Sequence, residues 1–170
     1  MMTAHYIGDH RQDALSVRAG WWLTRLVQFG EFSHVTHSEA ILCENLDGSV
    51  SIGSASVRDG GVRVKTTHLN PVHWLILDVP SWDVDKSVAW FSDPQNAHQK
   101  YAWGGAVRAG LPFLPGGPGV FCNQAVGAAH LRDSSLFTPS EFACICASFG
   151  RDITADFFAR RALRASQESV

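Results

Sequence analysis

Pro115-Gly116-Gly117-Pro118-Gly119-Val120-Phe121-Cys122-Asn123-Gln124-Ala125-Val126-Gly127-Ala128-Ala129 is the stretch on which the reading of this chain turns. A Gly/Pro-rich loop gives way abruptly to a short run of small residues with helical character, and Cys122 stands at the junction. The first N–H groups of a helix lack intrahelical partners and carry partial positive charge, so they stabilise a thiolate placed beside them. Cys122 is therefore a candidate nucleophile. The competing reading is a buried structural cysteine, the commoner fate of an isolated one. Gly127 inside the helical run costs about 1 kcal/mol relative to Ala, and its use would be close approach of that helix to a sheet.

Outward from this junction, the 170 residues suit one domain with a sizeable core, and 45% hydrophobic against 18% charged residues is a globular composition. A formal charge of −2, with no block of Lys and Arg, gives no nucleic-acid footprint. No apolar run reaches the roughly 18 residues that cross a bilayer. Met1 to Gln12 is broken by His5, Asp9, His10 and Arg11 and lacks the apolar centre of an export signal, so a cytoplasmic location is expected. The four cysteines, Cys43, Cys122, Cys144 and Cys146, show no zinc-type spacing, and no metal or organic cofactor is expected. Oligomeric state has no signature in the sequence.

Upstream, Trp22, Leu26 and Phe29 mark a helix within residues 13–30 that stops at Gly30. His37, Glu39, Ile41 and Cys43 alternate with Ser38, Ala40 and Leu42 as in a strand whose polar end opens on a cleft. Asp47-Gly48 predicts a two-residue type I′ hairpin into a return strand from Val50 to Val57. That register pairs Cys43 with Ile52, Ile41 with Ser54, Glu39 with Ser56 and His37 with Arg58; a longer loop would bring Ser54 toward His37. Strands follow at Val62–Lys65 and His73–Val79, then a helix over 84–93 capped by Asp83. Thr138-Pro139-Ser140-Glu141 is a capping box with Pro at the first helical position. A last helix, about Thr154 to Ala165, carries Arg160, Arg161 and Arg164 on what reads as a solvated face. The whole, residues 1–170, reads as a single α+β domain.

A thiol hydrolase needs a base within reach of the sulfur and a third group that orients the base. His37, at the wet end of its strand, is the preferred base, and Tyr101-x-Trp103-Gly104-Gly105 precedes the cysteine. Tyr-x-Trp-Gly-Gly followed by a loop and a Cys at a helix start resembles the NlpC-like cysteine peptidases, which have a papain-like fold. The His strand comes first and the Cys helix last, as in the circularly permuted branch of that group. Phe32 to Glu39, Gly53-Ser54-Ala55-Ser56, Arg58 to Lys65 and Phe121-Cys122-Asn123-Gln124 are similar to a phage- and prophage-encoded set within it.

The resemblance implies an antiparallel sheet packed against the Cys-bearing helix, with Cys122 as nucleophile and His37 as base and later acid. It implies Ser54 in the third position and Tyr101 beside the oxyanion, with Glu39 or Ser56 as replacements for Ser54. His34 competes with His37. Three residues apart, they face opposite sides of a regular strand, and Glu39-Ala40-Ile41-Leu42 favours His37. Trp103 and Gln124 are candidate substrate-binding residues; Gln124 could equally cap the helix. The implied activity is that of a peptidase or amidase working through an acyl-enzyme on a peptide, amide or acyl substrate. An acyltransferase or thioesterase on the same fold is one alternative. A non-catalytic phage-associated binding module is another, and a phage-encoded chain could travel with the virion.

Overall fold

The computed structural model describes residues 1–7, 35–102, 104, 118–131 and 137–167. The helix expected within 13–30, His34, Trp103 and the loop 105–117 lie outside the described residues. Within them, the strands form a six-stranded, wholly antiparallel sheet. They are β1 (Met2–Tyr6), β2 (His37–Glu44), β3 (Val50–Ser56), β4 (Gly61–Thr67), β5 (Trp74–Asp78) and β6 (Arg151–Asp152), in the spatial order β4-β3-β2-β1-β5-β6. Helices α1 (Val84–Ser92), α2 (Pro94–Ala97), α3 (Cys122–Gly127), α4 (Pro139–Phe149) and α5 (Thr154–Gln167) complete the described elements. The α+β class expected from sequence is observed. None of the described helices is long and apolar enough to cross a membrane.

β1 was not legible as a strand. It lies inside the sheet, with Met2 opposite Ile41 on one side and Asp78 on the other, and Tyr6 opposite His37 and Trp74. Its inward side chains, Thr3 and His5, are polar yet fully buried, so the segment imitates surface composition. They satisfy one another: Thr3 Oγ1 lies 3.0 Å from His5 Nε2, and His5 Nδ1 lies 3.0 Å from Ser38 Oγ.

Each face of the sheet has its own core. Ala40, Ala55, Leu77, Phe91 of α1, Val126 of α3 and Phe142 of α4 close one face. Ala4, Ile41, Ile52, Ile76 and Phe157 of α5 close the other. Burial on this scale, at roughly 25 cal/mol per Å² of apolar surface, is what holds the helices on the sheet. The helix starts follow the expected chemistry. Asp83 accepts from the Asp85 N–H at 2.9 Å, and Thr138 and Glu141 exchange both bonds of a capping box at 3.1 and 2.9 Å. Arg161 departs from the solvated-face reading. It is buried, lies 5.0 Å from the Phe157 ring centre and donates to Ser49 O at 3.4 Å, tying α5 to the β2–β3 hairpin.

The β2–β3 register differs from the expected one. Gly48 N donates to Asn45 O and Asn45 N to Ser49 O, so the loop has three residues with Gly48 at φ +77°, rather than the two of a type I′ turn. Cys43 therefore pairs with Ser51, and an irregularity between Ile41 and Cys43 then sets Ile41 opposite Ile52 and Ala40 opposite Gly53. Two glycines fix the segment that bears Tyr101. A Cβ on Gly61 would meet Gln99 O at 2.1 Å, and one on Gly119, whose φ is +113°, would meet Lys100 O at 2.4 Å. Between them Tyr101 N donates to Gly60 O at 3.0 Å, and Val120 N to Lys100 O at 3.0 Å.

Candidate active site

Cys122 is the first residue of α3, and Phe121 is its N-cap. Gln124 Oε1 accepts the Phe121 N–H at 3.1 Å, so Gln124 takes the capping role weighed for it. Asn123 is fully buried; its Nδ2 donates to Phe137 O, and its Oδ1 accepts from the Cys122 thiol at 3.5 Å. α3 lies against β2 and β3, with Ala125 and Val126 in the core.

His37 opens β2, and the Cys122 side chain is close enough to act on its ring. Its Nε2 lies 2.9 Å from Glu39 Oε1. A carboxylate only accepts, so Nε2 is the donor there and Nδ1 is the nitrogen left for the thiol. Burial disfavours the charged ring, but the hydrogen bonds and charges of Cys122 and Glu39 outweigh it and raise the His37 pKa to about 9. Residues 37 and 39 share a side of the strand, which is why the alternation that picked out His37 also carried its partner.

Glu39 is only 2% exposed, a costly place for a carboxylate without partners. Arg63 of β4 supplies them, with Nη1 to Oε2 at 2.8 Å and Nη2 to Oε1 at 2.7 Å. Burial pushes the Glu39 pKa up, whereas the bonds from Arg63 and His37 prevail and hold it at about 2. Arg63 Nε in turn donates to Asp59 Oδ2 at 2.7 Å. Asp59, Arg63, Glu39 and His37 thus form one hydrogen-bonded chain that ends beside Cys122.

Ser54 does not take the third position that the resemblance implied. It is fully buried, and its Oγ donates to Ser38 O at 2.7 Å. Ser56 Oγ instead accepts from the Arg58 N–H at 3.2 Å. The three-residue loop and the irregularity at Ile41/Cys43 move Ser54 from opposite Ile41 toward Glu39, but its hydroxyl is taken by the Ser38 carbonyl while Glu39 holds the imidazole. Tyr101 packs with Ala102 and Phe121 around the thiol. Burial first, then the charge of Cys122, raises its pKa, so the phenol keeps its proton as a donor.

Arg63 and Asp59 lie inside the Arg58 to Lys65 stretch, where nothing in the local spacing marks their role. The available signal was an arginine on a strand with a buried acid two strands away, but only pairing reveals that neighbour. His5, on β1 opposite Ser38 of β2, is held neutral, its pKa driven down to about 3 by burial and then by the charge of His37. Among the described residues, no cluster of three or more His, Cys, Asp or Glu side chains is placed to hold a metal ion. No family model, curated protein or solved structure matches the chain.

Proposed function

We propose that this chain is a cysteine hydrolase of peptidase or amidase type, built on the circularly permuted papain-like, NlpC-type arrangement. The observation that carries the reading is the His37 imidazole, held at 2.9 Å by the buried Glu39 carboxylate and set beside the Cys122 thiol at the start of α3. A base held between a nucleophile and an orienting acid is the arrangement that thiol acyl transfer requires. Glu39, rather than Ser54, is assigned the third position, and its charge favours the imidazolium that forms when the thiol gives up its proton.

In this reading His37 Nδ1 takes the Cys122 proton and the sulfur attacks the substrate carbonyl. The backbone N–H of Cys122 and the Tyr101 phenol donate to the oxyanion. The tetrahedral intermediate collapses, the C–N bond breaks, and His37 returns its proton to the leaving amine. Water, deprotonated by His37, then attacks the thioester and releases the acid and the free thiol. Transfer to another acceptor would replace only that last step. The binding-module alternative drew its support from a serine in the third position, and Glu39 removes that support.

The test is alkylation with iodoacetamide at about pH 6.5, where an ordinary thiol is almost wholly protonated. Cys122 is expected to label faster than the exposed Cys43 and Cys144 despite being buried itself, and His37→Gln to abolish the advantage. Labelling of Cys122 no faster than of Cys43 and Cys144 in the native protein would overturn the proposal.

A further inference from the structure

We infer that Arg63, anchored by Asp59, is a positioning residue that keeps Glu39 ionised and aimed at His37, and that the β3–β4 turn sets the imidazole and the Tyr101 phenol together. The inference rests on the hydrolase reading for its functional meaning, although the geometry behind it does not.

Glu39 lies almost wholly out of water, and a buried carboxylate left alone takes up a proton. Protonated, it could donate to His37 but would supply no charge to hold an imidazolium. The Arg63 fork prevents this and also fixes the carboxylate plane. Its two terminal nitrogens sit on the two oxygens, so Oε1 is shared between Arg63 Nη2 at 2.7 Å and His37 Nε2 at 2.9 Å. Lysine has a single ammonium and cannot span both oxygens in this way.

Arg63 is itself restrained. It pairs across the ladder with Ser54, and its remaining Nε–H reaches Asp59 Oδ2 in the turn that joins β3 to β4. The next residue in that turn, Gly60, accepts the Tyr101 N–H at 3.0 Å. The turn therefore touches both halves of the site, the imidazole through Asp59, Arg63 and Glu39, and the phenol through its backbone. The groups facing His37 are Cys122 from α3, Glu39 on its own strand and His5 from β1; those facing Glu39 are Arg63 from β4 and His37. Along the chain from Asp59 to His37 the charges alternate in sign, so removing the arginine leaves both Asp59 and the buried Glu39 without their cation.

The experiment measures the His37 titration midpoint by NMR of the imidazole and the pH profile of Cys122 alkylation by iodoacetamide. The proteins are the native chain, Arg63→Met, Arg63→Lys, Asp59→Asn, Glu39→Gln and the double variant Arg63→Met/Glu39→Gln. Arg63→Met is expected to lower the midpoint by about one unit or more and slow alkylation at neutral pH about tenfold. Arg63→Lys should recover part of the shift, and Asp59→Asn should show a smaller one. In the Glu39→Gln background, Arg63→Met should add nothing, because the arginine acts through the carboxylate. A midpoint unmoved by Arg63→Met, or moved equally with and without Glu39, overturns the inference. If Arg63→Met does not fold, Arg63→Lys and Asp59→Asn decide: unmoved midpoints in both overturn it. Failure of the hydrolase reading looks different, as native Cys122 alkylating no faster than Cys43 and Cys144 whatever His37 does.

Discussion

The Cys122–His37–Glu39 arrangement predicts a specific dependence of folding stability on alkaline pH. His37 moves from an ordinary 6.5 to about 9 on folding. Below pH 6.5 the imidazole is protonated in both the folded and unfolded chains, and the full stabilisation is present. Between 6.5 and 9 the unfolded chain releases the proton while the folded chain keeps it, so stability falls with rising pH. Above 9 both forms are neutral and the contribution is gone. At ~1.4 kcal/mol per unit the displacement corresponds to about 3 kcal/mol, an upper bound because a quarter of the ring is exposed. The depression of Glu39 from 4.5 to about 2 records in part the same attraction from the carboxylate's side, and the two are not added. His37→Gln removes the titrating group. Urea midpoints of the native protein and His37→Gln, followed by tryptophan fluorescence at about pH 6, 7.5 and 9.5, measure the difference. The native advantage should shrink by up to about 3 kcal/mol across that range. An advantage that stays constant from pH 6 to 9.5 would refute the reasoning, since His37 would then bind its proton no more tightly in the folded chain.

Other expectations follow from neighbouring residues. His5, held neutral with its pKa near 3, contributes stability that is full above pH 6.5 and lost as pH falls toward 3. His5→Gln should therefore flatten the acid limb of the stability profile, by up to about 5 kcal/mol between those values, read as the slope of unfolding free energy against pH. Gly119→Ala places a Cβ 2.4 Å from Lys100 O at a positive φ. It should cost about 3 kcal/mol in urea denaturation and slow Cys122 alkylation by shifting the Tyr101 segment. Gly53→Ala drives a Cβ to 2.6 Å from the Phe91 ring and should cost about 2 kcal/mol with little change in alkylation. Tyr101→Phe keeps the packing and removes the phenol O–H, so turnover of an amide substrate should fall about 10²-fold while iodoacetamide labelling, which forms no oxyanion, is nearly unchanged.

What the sequence determined by itself was what local chemistry controls. Helix caps at Asp83 and Thr138 work within three residues, and both are observed where their side chains predicted them. Strand alternation placed His37 and Glu39 on one side because a two-residue period needs no partner strand. The Gly/Pro-to-helix junction placed Cys122 at a helix start for the same local reason. Tertiary structure decided everything that depends on which strands meet. β1 sits inside the sheet although Thr3 and His5 look like surface residues, because each finds its hydrogen-bond partner only after the chain closes. Ser54 leaves His37 to Glu39 because its hydroxyl donates to the Ser38 carbonyl, and the register that sets it there, reset by one extra residue in the hairpin loop and one irregularity in β2, is a property of a pair. Arg63 reaches Glu39 from two strands away, a contact between residues 24 positions apart that no spacing rule encodes. Cys122 at its helix start and His37 beside Glu39 are local features of sequence; the Arg63 fork that balances the buried Glu39 carboxylate exists only once the sheet is built.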